Sequence, residues 1–454
     1  MSTADPSASL EEQIGQWRSY LRRRQAIAAV DVEELEDHLR EQVGGLRKAG
    51  LAADEAFLVA VKRMGQLDAL SREFAREHSE RLWKQLIVAT GSGEARLADR
   101  TDGIVILLLA VAAAVLVKLP LLFGYGIDHY ETFYLRNLSF FVLPLLSGYF
   151  AWKRELSAAT VGGITAAFVV AGIFANVYPF VVKGHTEALT ALHLPIALWL
   201  VVGIVYAGSR WRQVAGRMDF IRFSGELFIY YVLIALGGGV FMAFMAMLSK
   251  AIQIDPEPIF EWVMPCGAAG AVLIASWLVE AKQSVIENMA PVLTRIFTPL
   301  FTLLLLAFLA TVLWTGRGID IERDVLIAFD LLLVVVLGLV LYAVSARDPQ
   351  ASPGAFDLLQ VVLVISALVV DAVALWAIAA RISEFGFSPN RVAALGMNLI
   401  LLVNLAGAAV CYLRFLRGRG SFASIERWLT SYLPVYFVWA TIVVVAFPPW
   451  FGFV

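Results

Sequence analysis

From Gly103 onward the sequence is a succession of apolar stretches, each close to the roughly 20 residues a helix needs to cross a bilayer. Eleven can be marked, at about 104–123, 137–152, 157–182, 188–207, 223–249, 259–280, 294–315, 325–345, 355–380, 392–416 and 429–448. The second is the shortest. In hydrocarbon a backbone must satisfy its own polar groups, and a helix does so within each segment. Composition agrees: 59% of the 454 residues are hydrophobic and 16% charged, with a mean hydropathy of +0.74. Soluble domains are nearer half apolar and a quarter charged. The expected fold is all-α, a polytopic integral membrane helical bundle of about eleven transmembrane helices behind a small soluble four-helix domain.

That soluble part is visible in the charge distribution, since 33 of the 74 charged residues lie within residues 1–102. The expected division is a helical domain at 1–90, a linker at 91–102 and a transmembrane domain at 103–454. Leu10, Ile14, Trp17 and Leu21 recur at helical spacing, and Arg22-Arg23-Arg24 closes that helix, where cations suit the dipole. Asp31 with Glu34 three residues on reads as a capping box; Leu35, Leu39, Val43 and Leu46 make the stripe, and Gly50 ends the helix. A third helix presents Ala56, Val59, Ala60 and Met64. A fourth begins near Leu67 with Leu70, Phe74 and Leu82, and Gly91-Ser92-Gly93 reads as a hinge. The start, MSTADPSASLEEQ, has neither a basic nor an apolar signal region, so this domain is expected in the cytoplasm.

The string from Glu34 to Glu77, with its AGL…DEAF…AVKRMG…LSREFA pattern, resembles the permease prefix domain, related to HAAS domains. The resemblance covers about 75 residues. It implies a cytosolic module fused to a bacterial permease or membrane sensor, with a regulatory or assembly role and a cytosolic protein partner through residues 1–90. Farther on, RISEFGFSPNR at 381–391 followed by VAALGMNLILLVNL resembles an uncharacterised bacterial multi-pass family that often carries the prefix domain. That resemblance implies a bacterial cytoplasmic (inner) membrane and no particular activity.

Basic residues in the short loops give the orientation. With the N-terminus inside, thirteen Lys and Arg fall on inner loops and helix ends, against seven outside (Arg136, Lys183, Lys250, Arg317, Arg323, Arg381 and Arg391). The N-terminus is expected in the cytoplasm and the C-terminus outside.

Ionisable groups inside the membrane are expensive, and so are informative. Asp330 lies about five residues into the eighth segment and Asp371 about ten below the outer end of the ninth, depths of roughly 8 and 15 Å at 1.5 Å per residue. Asn398 enters the tenth at a comparable depth, with Asn404 deeper; Arg381, Glu384, Asn390 and Arg391 lie just above. These eight residues form the candidate polar site: acids for a cation or proton, arginines for an anionic group. The alternative is that they are interhelical hydrogen bonds that fix packing. Asp128, His129, Glu131, His185 and His193 share the outer side, but their spacing matches no ligand motif and no metal site is expected. Glu226 and Glu280 are expected to face headgroups or to pair with Arg222 and Lys282.

Several functions are disfavoured. The net charge of −2 argues against nucleic-acid binding. Cys266 and Cys411 both sit in apolar runs, without a metal or disulfide pattern. GxxxxGK[ST], HExxH and GxSxG are absent, no catalytic residue stands out, and no cofactor is expected. Gly418-Arg419-Gly420 lacks the strand and third glycine of a dinucleotide fingerprint. Gly162-Gly163, Pro179, Pro195, Gly237-Gly238-Gly239 and Pro265 allow interrupted helices as in transporters, or close packing; no inverted repeat is visible. Three functions remain: a permease-like or channel-like protein for an ion, small solute or lipid; a membrane sensor or regulatory scaffold; and an intramembrane enzyme on a lipid-linked substrate. The bilayer is the one certain partner, and oligomeric state is open.

Overall fold

The computed structural model describes residues 10–11, 13–15, 17, 29–64, 94–126, 130–251, 253, 255–281, 289–315 and 323–454; among these every regular element is helical. The chain divides into two compact units, Met1–Thr101 and Asp102–Val454.

In the first unit, α1 (Ala29–Lys48) and α2 (Ala53–Met64) pack with the helical residues around Leu10. Ile14, Trp17, Leu39, Val43, Phe57 and Ala60 are buried in one cluster. The spacing predicts all of these but Phe57, which with Val61 fills the core of α2 in place of the expected Val59, itself only half-buried. Arg40 adds a polar clasp, donating from Nη1 to Glu11 Oε1 at 2.6 Å and from Nη2 to Glu36 Oε1 at 2.9 Å. The end of α1 is set by Gly50 at φ +97°, a conformation that costs glycine little. Gly50 N donates to Arg47 O and Leu51 N to Leu46 O, the double closure of a Schellman motif, with Leu46 and Leu51 both packed on the core. Asp31 is not the N-cap, because α1 already begins at Ala29. The expected fourth helix and the Gly91–Gly93 hinge lie outside the described residues. Within the expected linker at 91–102, residues from Glu94 on are helical, the start of α3 (Glu94–Lys118), because EARLADR is rich in good helix formers.

In the second unit, α3 is followed by α4 (Glu131–Lys153), α5 (Ala158–Val177), α6 (His185–Ala207), α7 (Val214–Ala251), α8 (Glu257–Ala281), α9 (Met289–Thr315) and α10 (Arg323–Ala346). Then come α11 (Ala355–Phe385), α12 (Pro389–Leu416), the short α13 (Phe422–Ser431) and α14 (Leu433–Val445). Among the described residues ten helical segments are long and apolar enough to cross a membrane, the last being α13 and α14 together. The chain is an integral membrane protein.

The segment at 137–152 is the one missing from those ten, since its hydropathy is lower. Its helix is nevertheless full length. At one end of α4, Lys153 Nζ pairs with Asp102 at 3.1 Å and Glu280 at 2.9 Å, the start of the α3 span and the end of α8. At the other, Tyr134 OH donates to Tyr125 O beyond α3, and Arg136 lies 3.4 Å from Glu187 in the first turn of α6. The helix therefore runs antiparallel to α3, tied at one end to the start of the α3 span and at the other to the residues just beyond α3. Glu280 also takes Arg154 at 2.8 Å, so its partners are those two cations; Lys282 lies outside the described residues.

Of the glycines and prolines that allowed an interruption, Pro179 follows a real stop, since α5 ends at Val177, but the others do not break their helices. α7 runs unbroken through Gly237-Gly238-Gly239, and Pro195 and Pro265 sit inside continuous α6 and α8. Pro265 removes a donor to the carbonyl four residues back, and Lys118 Nζ donates to that carbonyl, Glu261 O, at 2.6 Å. Glycine instead serves close approach. On α12, Gly396 receives the indole of Trp439 and Gly407 that of Trp428; a Cβ at either would fall inside the ring. Both pairs are eleven residues apart, about three helical turns, so one face of α12 seats two indoles from the antiparallel α13–α14 segment. With little hydrophobic drive between helices in lipid, such small-to-large fit supplies much of the packing.

Candidate functional site

α10, α11 and α12 bring Asp330, Asp371 and Asn398 together. The start of α12 is fixed locally: Ser388 Oγ accepts from Arg391 N and Pro389 occupies the first turn, where its missing N–H costs nothing. About two and a half turns on, Asn398 Nδ2 donates to Asp330 Oδ1 at 2.8 Å, joining α12 to α10. Asp371 on α11 is within electrostatic reach of Asp330. It is 0% exposed, and neither of its carboxylate oxygens has a hydrogen-bond partner. Asn398 is equally buried, and its Oδ1 is also unpartnered. Buried polar groups are nearly always satisfied, so three orphaned oxygens beside a second carboxylate form an unusual concentration of acceptors.

The chemistry of this set is narrow. It contains acceptors and no charge to balance them, so it suits a proton or a hard cation coordinated by oxygen. Among the described residues no group of three His, Cys, Asp or Glu could hold a metal ion, which leaves two carboxylates and an amide as the donor set.

The other five residues of the expected site go elsewhere. Arg391 Nη1 donates to Phe385 O at 3.0 Å and Gly386 O at 2.7 Å, closing the α11–α12 loop, with its guanidinium over the Phe385 ring. Arg381 lies over the same ring from the other side of the loop sequence, 6.0 Å from the centroid. Glu384 is exposed at the end of α11. Asn390 Nδ2 donates to His185 Nδ1 at 2.9 Å, tying the start of α12 to the start of α6; His185 is thus a helix-terminal contact and not a loop residue. Asn404 faces α13 and α14: its Nδ2 donates to Tyr436 OH at 2.8 Å, and its backbone carbonyl accepts from Trp428 Nε1 at 2.9 Å, while its Oδ1 is buried without a partner. His193 Nδ1 donates to Leu189 O at 2.9 Å, one turn back on its own helix, and Asp128 and His129 lie outside the described residues.

A separate feature escaped the sequence. A cavity of about 750 Å³ opens between α3, α4, α6, α7 and α8, and Tyr436 reaches its wall. Its lining comes from six separate helices, and most of its residues singly read as ordinary membrane apolar surface. No protein family, curated protein or solved structure matches this chain.

Proposed function

We propose that this chain is a permease-like protein whose Asp330, Asp371 and Asn398 bind a proton or monovalent cation that drives transport. The observation that carries the reading is Asp371, a fully buried carboxylate without a hydrogen-bond partner, within electrostatic reach of a second acid. A packing role asks for a polar partner: Asn137 and Asn176 exchange two bonds at 2.9 Å, and even Asn404 and Gln360, each with an unpartnered oxygen, keep an interhelical bond through their amide nitrogens, whereas Asp371 has none. An ionised pair at 330 and 371 needs a bound cation or a shared proton, and a group that takes and releases one within the membrane is what a coupled transporter uses.

In this reading the chain crosses eleven times, α4 included, with the N-terminus in the cytoplasm and the C-terminus outside a bacterial cytoplasmic membrane. The end-to-end ion pairs of α4 support the eleventh crossing and the loop charges support the orientation. Residues 1–90 act as a regulatory module of the permease-prefix kind. The test is reconstitution into sealed vesicles containing a pH-sensitive or sodium-sensitive dye. An imposed gradient should move protons or sodium ions through the wild-type protein and not through Asp371→Asn or Asp330→Asn. Equal fluxes in wild type and both variants would end the proposal.

A further inference from the structure

We infer that the cavity between α3, α4, α6, α7 and α8 is a binding site for one acyl chain of a membrane phospholipid, which slides in sideways from the bilayer. This inference is independent of the aspartate site, whose residues do not line the cavity. Three properties carry it. The first is chemistry. The wall is mainly hydrocarbon and aromatic, with Val117, Phe141, Val142, Leu200 and Val272 among its residues. Its polar side chains, besides the tyrosines and Trp199, are Ser139 and, at the start of α4, Glu131. Two of the polar groups that reach it are already engaged, Trp199 Nε1 with Ser224 Oγ at 3.1 Å and Tyr436 OH with Asn404. A wall so apolar holds water poorly, and a volume of about 750 Å³ lies within the 300–1,000 Å³ range of small-molecule sites.

The second is access. Leu135 and Leu138 on α4 line the cavity and are 51% and 57% exposed. On a membrane-spanning bundle that exposure is toward lipid, so the opening faces hydrocarbon and not the aqueous phase. The third is length. Along α4 the lining runs from Glu131 to Leu143, twelve residues or about 18 Å of helix, close to half of the roughly 30 Å hydrocarbon core. The cavity is therefore about one leaflet deep. Its mouth is level with an aromatic cluster, Tyr125 with Tyr130 at 4.8 Å and with Phe133 at 5.2 Å, the kind of belt that marks the headgroup region. A ligand with its polar end among the tyrosines and its hydrocarbon directed inward is an ordinary phospholipid of that leaflet.

Photolabelling tests this. The full chain is placed in phosphatidylethanolamine–phosphatidylglycerol vesicles doped with a phospholipid carrying a diazirine within its acyl chain, and adducts are mapped by mass spectrometry. Val142 and Leu200 line the cavity yet are buried from the outer surface, so adducts there require a chain inside. The expected result is labelling of both in the wild type, and its loss in Ala269→Phe, which fills the cavity. Labelling of the exposed Leu236 and Phe244 on α7 should persist in the variant. Labelling of Leu236 and Phe244 without Val142 and Leu200 in the wild type would overturn the inference, and that comparison stands alone if Ala269→Phe does not fold. Labelling of Val142 and Leu200 by a free diazirine fatty acid but not by the phospholipid would also overturn it.

Discussion

Replacing Asp371 with Asn separates a working site from a packing contact by the sign of its effect on stability. An aspartate at a helix centre in the membrane costs about 2.5–3.5 kcal/mol on insertion scales. Asp371 offsets none of that through hydrogen bonds, since both oxygens are unpartnered and the charged group acting on it is another acid. Asparagine keeps the shape and removes the charge, while bringing an amide whose unmet hydrogen bonds cost about 1–3 kcal/mol. The balance is a protein as stable as wild type, or up to about 2 kcal/mol more stable, that no longer moves its cation. Asn398→Ala should behave oppositely, losing about 1–3 kcal/mol because Asp330 then loses its 2.8 Å donor as well. Unfolding of each variant in lipid nanodiscs, followed by tryptophan fluorescence, gives the stabilities; vesicle flux gives the activity. A loss of about 2 kcal/mol or more in Asp371→Asn would refute the reasoning, because it would mean that the carboxylate makes stabilising contacts.

Gly407→Ala and Gly396→Ala should each cost about 1–3 kcal/mol by pushing an indole out of its seat, whereas Gly148→Ala, with nothing within 4 Å of the new Cβ, should be neutral or stabilising in the same unfolding assay. A fragment of residues 1–90 should be soluble, helical by circular dichroism and cooperative on melting, and Trp17→Ala should lower its stability by about 3–5 kcal/mol, since that indole is fully buried in the core. Cysteine labelling of whole cells, with Cys266 and Cys411 replaced, should reach position 450, where Trp450 is exposed, from outside; labelling from the cytoplasmic side alone would remove one crossing.

Much of this protein is legible in its order of residues. The apolar segments, the buried stripe of the first unit and the Gly50 stop follow from local rules, because hydrocarbon thickness and helical period act on each stretch independently. Even Asp330, Asp371 and Asn398 stood out singly, as charges and an amide are costly wherever they lie in a membrane. What those rules left open was which groups meet. Depth along a helix is a one-dimensional quantity, and facing depends on the rotation of each helix, which packing sets. Tertiary structure therefore divided eight residues of similar depth into a buried acidic site, a loop clasp at Arg391, a helix tie at Asn390 and an indole seat beside Asn404. It also decided that α4 runs full length, through ion pairs at both ends that no hydropathy window registers. The cavity belongs to the same class: six helices contribute mostly apolar side chains, one from each of three and several from each of the others, and the space exists only where their surfaces fail to close on one another.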